Sequence, residues 1–596
     1  MKNKIVWVIL SCLLVLILVL ASCGPGVVEE EEKVIPEEEE EAAVVEEEEE
    51  APAVEGPEMV RDSLGISKEK PRYGGIMRFS WTGVGAVGSW DVAAPSGGMV
   101  WHLSMYELPT GADITRGPSG TGELPFTAAY TPEKYRVGEL AESWEQPDLQ
   151  TVIIHFRKGI NYHNKPPVNG REMVAADYAY CVRRAQEHPR SYFYKPAGTP
   201  EEEYFRVEVM DKYTARVLMP NPETRPFSEI NFSIYPPELV EEFGDLENWQ
   251  NACGTGAWIC TDYVPDSSLA YVKSEDYWGF DPFFPENRAP YADGYTVINV
   301  PEQTTQLAAL RTGKIDWLTG VSWEDAESLW QTNPELKYST GYETYNPVID
   351  FRNDLEPFSD IRFRKALTLA IDRRGLVRDL FKGNAEVFGW PYRPETKDIY
   401  IPLDRMPEDI QELFDYDPEK ARQFLAEAGY PEGYRIELLV SSGRTHVDLA
   451  QIIKQYWDAI GVETTVKVLE VGTFYSRMWG KRYDQSAITH QYNANPFYIP
   501  DVHYGTGKIY NYSKVSDPYI DEMSLKLMKT PDPDERSEMF KEIGVHVLRQ
   551  CYNIPLPLAN NYVFWQPWVK GYSGEWWGIG NYRWLDLDLR KTMLGK

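Results

Sequence analysis

The chain predicts an α/β fold with more than one lobe, on three features. A period-two apolar pattern over 151–156 marks a strand, and apolar spacings of three and four mark helices near 173–188, 417–429 and 449–461. More than 500 residues then follow a polar N-terminal stretch, too many for one ordinary core.

Lys2 and Lys4 precede an apolar run from Ile5 to Val19, and Leu20-Ala21-Ser22-Cys23 closes it. Small residues at 21 and 22 let a peptidase reach the bond before Cys23, whose thiol then carries a thioether-linked lipid, so 1–22 reads as a lipoprotein signal peptide. The other reading is an uncleaved membrane helix, slightly short of the ~20 residues that span a bilayer. Both put the body on the extracytoplasmic side, lipid-anchored in the first case. Residues 23–70 then form an acidic tether. Val27 to Glu58 holds sixteen glutamates and one lysine, nearly half of the formal net charge of −32, and has no means of burying a core. With 92 acidic against 60 basic residues, the chain lacks the basic surface that a nucleic acid requires.

In the body, Val152, Ile154 and Phe156 share one face of a strand that Arg157-Lys158-Gly159 closes. A helix follows, with apolar lines Met173, Ala176, Tyr180 and Val174, Tyr178, Cys181, ending near His188-Pro189. Asp417 caps the next, with Pro418 in its first turn, Ala421, Phe424, Leu425 and Ala428 as its stripe, and Gly429 as its stop. Leu449, Ile452, Ile453, Tyr456, Trp457 and Ile460 form a third, ended by Gly461, and Val466 and Val468 alternate in a following strand.

Cys12 leaves with the leader and Cys23 with the lipid, which leaves Cys181, Cys253, Cys260 and Cys551. Cys253 and Cys260 are close enough in sequence to bridge a turn in an oxidising compartment; buried free thiols are the alternative. The eight histidines are scattered singly, so no metal site and no cofactor is expected.

Four ordered motifs carry a family resemblance. Leu140-Ala141-Glu142-Ser143-Trp144 followed by Arg157-Lys158-Gly159-Ile160-Asn161-Tyr162-His163 resembles "LAxSW" and "RKGVxFH"; Gly254-Thr255-Gly256-Ala257-Trp258 and Tyr277-Trp278 resemble a "GTGPY" turn and a closing "YW". Leu307 to Asp316 is similar to "AALxSGEID", and Pro357 to Arg373 to "PFxDxRVRQALxxAIDR". The chain thus resembles family 5 of the extracellular solute-binding proteins, the dipeptide-, oligopeptide- and nickel-binding components of ABC importers. The resemblance implies a periplasmic-binding-protein-like two-lobed fold, type II of the large class with an inserted subdomain, whose discontinuous domains are joined by hinge strands. Lobe I is expected over 71–99, 254–345 and 555–596, the inserted subdomain over 100–253, and lobe II over 346–554. The implied protein is a monomer that captures a solute, an oligopeptide or else an oligosaccharide, and hands it to a permease and ATPase complex without acting as an enzyme.

From the residues themselves, Gly254 and Gly256 read as a tight turn using backbone angles closed to other residues, with no basic residue placed for a phosphate loop. Arg362 and Arg364 either reach a ligand carboxylate or pair within the fold, and His163 is a turn residue. The ligand-binding candidates are Trp81, Trp101, Tyr106, Trp390, Tyr492, Asn493, Asn495, Tyr504 and Trp577, aromatic or amide groups near the lobe junctions. One departure bears on specificity. Peptide-binding relatives hold the ligand ammonium with an aspartate in "WxxDxxxP", and here Tyr492 stands in its place, four residues before Pro496. A phenol supplies no full counter-charge, while Asn493 and Asn495 offer hydrogen bonds to hydroxyls or amides. Neither GxSxG nor HExxH occurs; a secreted hydrolase and a ligand sensor are the alternative classes.

Overall fold

The computed structural model describes residues 56–81, 89–94, 104–124, 130–575 and 581–595, with only the backbone of 444 and 445. The leader, Cys23, most of the tether, Trp101 and Trp577 lie outside the described residues.

Three large sheets organise the body. The first has eight strands, seven in the order Trp258–Val264, Ser268–Lys273, Gly294–Ile298, Ile76–Ser80, Trp317–Val321, Leu558–Trp565, Lys337–Tyr342, with Ala385–Glu386 also paired to Leu558–Trp565. The second has five: Val462–Leu469, Tyr434–Ser441, Ser486–Tyr492, Tyr345–Phe351, Asn553–Pro555. The third has four: Ala141–Asp148, Thr151–Phe156, Thr214–Leu218, Arg206–Asp211. Parallel and antiparallel pairs mix in the first two, as in α/β folds with crossover helices.

The patterned elements form for the reasons their sequences give. Thr151–Phe156 buries Val152, Ile154 and Phe156 in alternation, and Gly159 turns the chain at φ +75°. Helix Ala175–Glu187 buries Tyr178, Cys181 and Val182, so only one of its two apolar lines faces inward; Ala176 is exposed and Tyr180 half-buried. Helix Pro418–Glu427 starts where the Asp417 carboxylate accepts from Lys420 N at 2.9 Å, and Gly429 ends it at φ +95°. Helix Arg444–Ala459 begins ahead of Leu449, the first residue of the expected stripe; its N-cap is Gly443, and no side chain marks the start. Its Leu449, Ile453 and Trp457 are buried, each worth about 1.5–3 kcal/mol of transfer free energy.

Two expectations need correction. Neither Gly254 nor Gly256 is left-handed. Glycine is required there by close approach, since a Cβ would sit 2.0 Å from Met105 O at 254 and 2.6 Å from Ser104 O at 256. The Cys253–Cys260 bridge is not formed either: both thiols are free and buried, one directed to His163 O and the other to Asp262 O. His163 closes the same turn, its Nε2 2.8 Å from Gly256 O, and burial pulls its pKa down to about 4.

Two short segments carry the chain from the eight-stranded to the five-stranded sheet. One is Glu343-Thr344, and the other, running back, is Leu556-Pro557. They lie side by side: Leu556 N donates to Pro347 O at 3.1 Å, and Glu343 N to Ala559 O at 3.0 Å. Buried arginines fix them. Arg393 donates to Glu343 O (2.9 Å) and Thr344 O (3.2 Å), and Arg373 to Pro555 O (2.8 Å). Arg364 holds Cys551 O and Gln550 O just upstream, while Arg362 pairs with Asp360. Arg364 and Arg373 of the Pro357–Arg373 motif therefore set the backbone that feeds the crossing.

Candidate ligand-binding site

The site grows from Ser486–Tyr492, whose faces diverge as strand alternation requires. On one face, Thr489 and Gln491 hydrogen-bond the carboxylate of Asp350, which Ser513 also reaches at 2.6 Å; burial raises the pKa of this carboxyl, and nothing of it faces a ligand. On the other face, His490 and Tyr492 keep part of their surface.

Tyr345, on the neighbouring strand, is directly opposite Tyr492, with ring centroids 5.8 Å apart, and is 51% exposed. Tyr498 meets Tyr492 edge-on at 5.3 Å. The Tyr492 hydroxyl has no hydrogen-bond partner among the described residues, and burial raises its pKa. His490 lies over His446 with centroids 4.1 Å apart, and His446 Nδ1 is 2.8 Å from Ser441 Oγ. Burial first, and the neighbouring imidazole second, depress the His490 pKa to about 3. The wall is therefore aromatic and uncharged at neutral pH. The phenols of Tyr475, Tyr498 and Tyr510 all lie within electrostatic reach of Tyr345 and are raised chiefly by burial.

Carboxyls of the other half differ in kind. Glu107 accepts from Tyr277 Oη and Trp278 Nε1, both at 2.9 Å, and burial pushes its pKa up to about 7. Glu139 rises to about 8, through burial and then repulsion from Glu107. Glu343, on the crossing segment, rises to about 7 by burial against the pull of Arg393. The two halves also touch directly: Lys134 pairs with Asp398 at 3.2 Å, Thr224 N donates to Met528 O at 3.1 Å, and the Arg225 guanidinium lies 3.5 Å over the Phe497 ring. A separate cavity of about 650 Å³, lined by Arg157, Asn161, Trp278 and Arg288 among others, takes no residue from the five-stranded half.

Of the described residues named from sequence, Tyr492 alone stands on this wall. Tyr106, Trp390 and Tyr504 are buried in cores, the last two joined by a Trp390 Nε1 to Tyr504 Oη bond of 3.1 Å, which leaves no surface for a solute. Asn493 is buried and holds Gly389 O and Pro391 O, while Asn495 accepts from Phe497 N in a local turn. Trp81 packs half-buried against the core that contains the four-stranded sheet. Sequence reading missed Tyr345, Tyr498, His446 and His490. The only signal for them was an apolar-to-polar switch at strand ends, and 44 residues separate the two histidines.

A sequence profile of the bacterial extracellular solute-binding proteins, family 5, matches residues 136–544. A heme-binding protein A of Haemophilus influenzae is 25% identical over 478 residues, spanning 75% of this chain and 84% of that protein. A di/tripeptide-binding protein of Pseudomonas aeruginosa is 24% identical over 477, spanning 72% and 81%. The oligopeptide-binding protein AppA of Bacillus subtilis, solved with a nonapeptide, superposes with a TM-score of 0.67 at 20% identity over 87% of this chain and all of that one, which shows a shared fold. Four motifs in order, paired crossing segments between two sheets and a profile match over most of the body lead to one conclusion: the chain belongs to the bacterial extracellular solute-binding proteins of family 5.

Proposed function

We propose that the chain is the solute-binding component of an ABC importer. In this reading the halves built on the eight-stranded and five-stranded sheets are lobes I and II, with the four-stranded sheet as an inserted subdomain of lobe I. They close about Glu343-Thr344 and Leu556-Pro557, enclose an oligopeptide and release it unchanged to a permease. Cys23 anchors the protein by lipid on the extracytoplasmic face, and the acidic tether spaces the body from the membrane. The chain has no catalytic task in this scheme.

The observation that carries the proposal is the partly exposed wall of Tyr345, Tyr492 and Tyr498 beside the two crossings. Ring faces grip varied side chains, and closure strengthens each polar contact by excluding water. The same uncharged rings favour a second reading, an oligosaccharide stacked on the tyrosines. Calorimetric titration with mixed oligopeptides and with oligosaccharides, paired with small-angle scattering, tests both. One-to-one peptide binding with a smaller radius of gyration supports the first; compaction with sugar alone transfers the function to the second.

A further inference from the structure

The cavity of about 650 Å³ that takes no residue from the five-stranded half is bounded by two loops. One, 157–170, follows strand Thr151–Phe156 of the four-stranded sheet, and the other, 276–288, follows strand Ser268–Lys273 of the eight-stranded sheet. The volume falls within the ~300–1,000 Å³ of small-molecule sites. Both loops are fixed before anything binds. Gly159 N donates at 2.6 Å to the Glu172 carboxylate, which Lys212 and Tyr213 also hold. Asn161 pairs with Glu172, and Phe280 with Arg288, as isolated bridges. The Tyr73 hydroxyl donates to Arg288 O at 2.8 Å, and Ala289 N to Gly279 O at 3.0 Å.

One wall is planar and held from behind. Trp278 Nε1 donates to Glu107 at 2.9 Å, while Arg157 donates through Nε to Glu139 O at 2.7 Å and through Nη2 to Gly138 O at 3.2 Å. The Arg157 guanidinium stands 5.7 Å from the Trp278 ring centroid, and the indole keeps part of its surface. The other polar groups are not committed within the fold. Among the described residues, the side chains of Asn161, Asn164, Asp276 and Arg288 make no hydrogen bond or ion pair. Arg288 lies 5.8 Å from the Phe280 ring and Lys158 5.6 Å from that of Tyr213, contacts that leave their N–H donors free. Three cations thus face one carboxylate on this lining, in a chain whose formal net charge is −32, and such a local excess attracts an anion. A bare inorganic anion has no use for an indole or for carboxamides, and Asp276 repels it. An acidic sugar uses every group: its hydroxyls pair with the amides and donate to Asp276, its C–H face packs on the planar wall, and its carboxylate meets Arg288 and Lys158.

We infer that this recess is a second binding site, outside the cleft, for a short oligosaccharide bearing a carboxylate. Its sugar ring packs against Trp278 and Arg157, its carboxylate pairs with Arg288 and Lys158, and its hydroxyls bond Asn161, Asn164 and Asp276. Since no lining residue belongs to the five-stranded half, binding here needs no closure and leaves the cleft free for cargo. The site serves attachment to a carboxylated glycan, not uptake, whichever cargo the cleft holds.

The test is calorimetric titration of the full chain with digalacturonic acid, with its dimethyl ester and with inorganic phosphate, joined to hydrogen-exchange mass spectrometry and small-angle scattering. The expected result is one-to-one binding of digalacturonic acid, at least about tenfold tighter than the ester or phosphate and weakening as salt is raised. Added protection is confined to 157–170 and 276–288, and the radius of gyration does not change. Arg288→Ala, at an exposed side chain without a hydrogen bond, weakens the acid by at least about tenfold and leaves the ester and the thermal midpoint unchanged. Asn161→Ala and Asn164→Ala together weaken acid and ester alike, by about tenfold. Saturating digalacturonic acid leaves an oligopeptide titration as it was. Equal affinity for acid and ester, or phosphate bound as tightly as the acid, overturns the acidic-sugar assignment. Protection at 486–492, or competition with peptide, places the sugar in the cleft and overturns the second site. Binding of neither disaccharide to chain that melts normally overturns it as well.

Discussion

Two buried regions of the molecule reach neutrality from opposite directions. On the five-stranded side, burial strips protons from imidazoles, taking His490 to about 3 and His503 to about 4. Across the molecule burial adds protons to carboxyls, taking Glu107 to about 7 and Glu139 to about 8. One physical cause, the cost of charge in low dielectric, acts on a base and on an acid with opposite sign. Near neutral pH the tyrosine-histidine wall is uncharged and the acidic side is largely so, although the chain as a whole carries a net charge of −32.

The largest expected effect lies at the crossing both sides share. Arg393→Met leaves the Glu343 and Thr344 carbonyls and the Glu395 carboxylate without their partner, and a loss of about 3–5 kcal/mol is expected in urea denaturation. A loss below about 1 kcal/mol would mean that the crossing is held by its backbone pairs alone.

The two sides separate next by pH. Folded Glu107 and Glu139 keep protons to about pH 7 and 8, whereas the ordinary value is 4.5, so the folded chain binds more protons in that window. Their contribution is full below about 4.5 and is lost as pH rises through 7 to 8. The imidazoles of His163, His490 and His503 do the reverse: the unfolded chain binds more protons below 6.5, so stability falls as pH drops toward 3 to 4. Glu139→Gln is therefore expected to raise stability by ~2 kcal/mol at about pH 8.5 and to change little at about pH 5. Equal effects at both values, in thermal melts, would remove the raised carboxyl.

A smaller change tests the wall. Tyr492→Asp supplies the carboxylate that peptide-binding relatives use, and about tenfold tighter binding of a free-amine dipeptide is expected by calorimetry, since a charge-assisted hydrogen bond is worth about 1.5–3 kcal/mol before desolvation. Unchanged affinity would place the peptide amine elsewhere. The smallest effect concerns the thiols. Cys181, Cys253, Cys260 and Cys551 are all buried and free, so in a chain lacking residues 1–23, and with them Cys12 and Cys23, four thiols should react with a thiol reagent after unfolding and almost none before. Two after unfolding would restore the bridge.

Much of the architecture was legible because it is written in local period and punctuation. Asp417, Pro418 and Gly429 bound their helix as capping chemistry requires, and Val152, Ile154 and Phe156 declare their strand. Helix Arg444–Ala459 lost its first turn to prediction because a glycine cap leaves no polar signature. Among the described residues the candidate wall was legible only at Tyr492, and there because a family pattern was broken. Trp390 and Tyr504 have the composition of a binding site and the burial of a core, a distinction made by tertiary packing. The approach of His446 to His490 depends on how two strands and a helix start are stacked, which no window of sequence contains.

In the proposed function the tyrosine wall holds a peptide which leaves chemically unchanged. The most direct test is mass spectrometry of peptide bound by the full chain and then released by unfolding. The expected result is one peptide per chain, recovered at its starting mass, with occupancy sharply reduced by Tyr345→Ala and Tyr492→Ala together. Recovery of cleaved peptide, or full occupancy without the two rings, would contradict it.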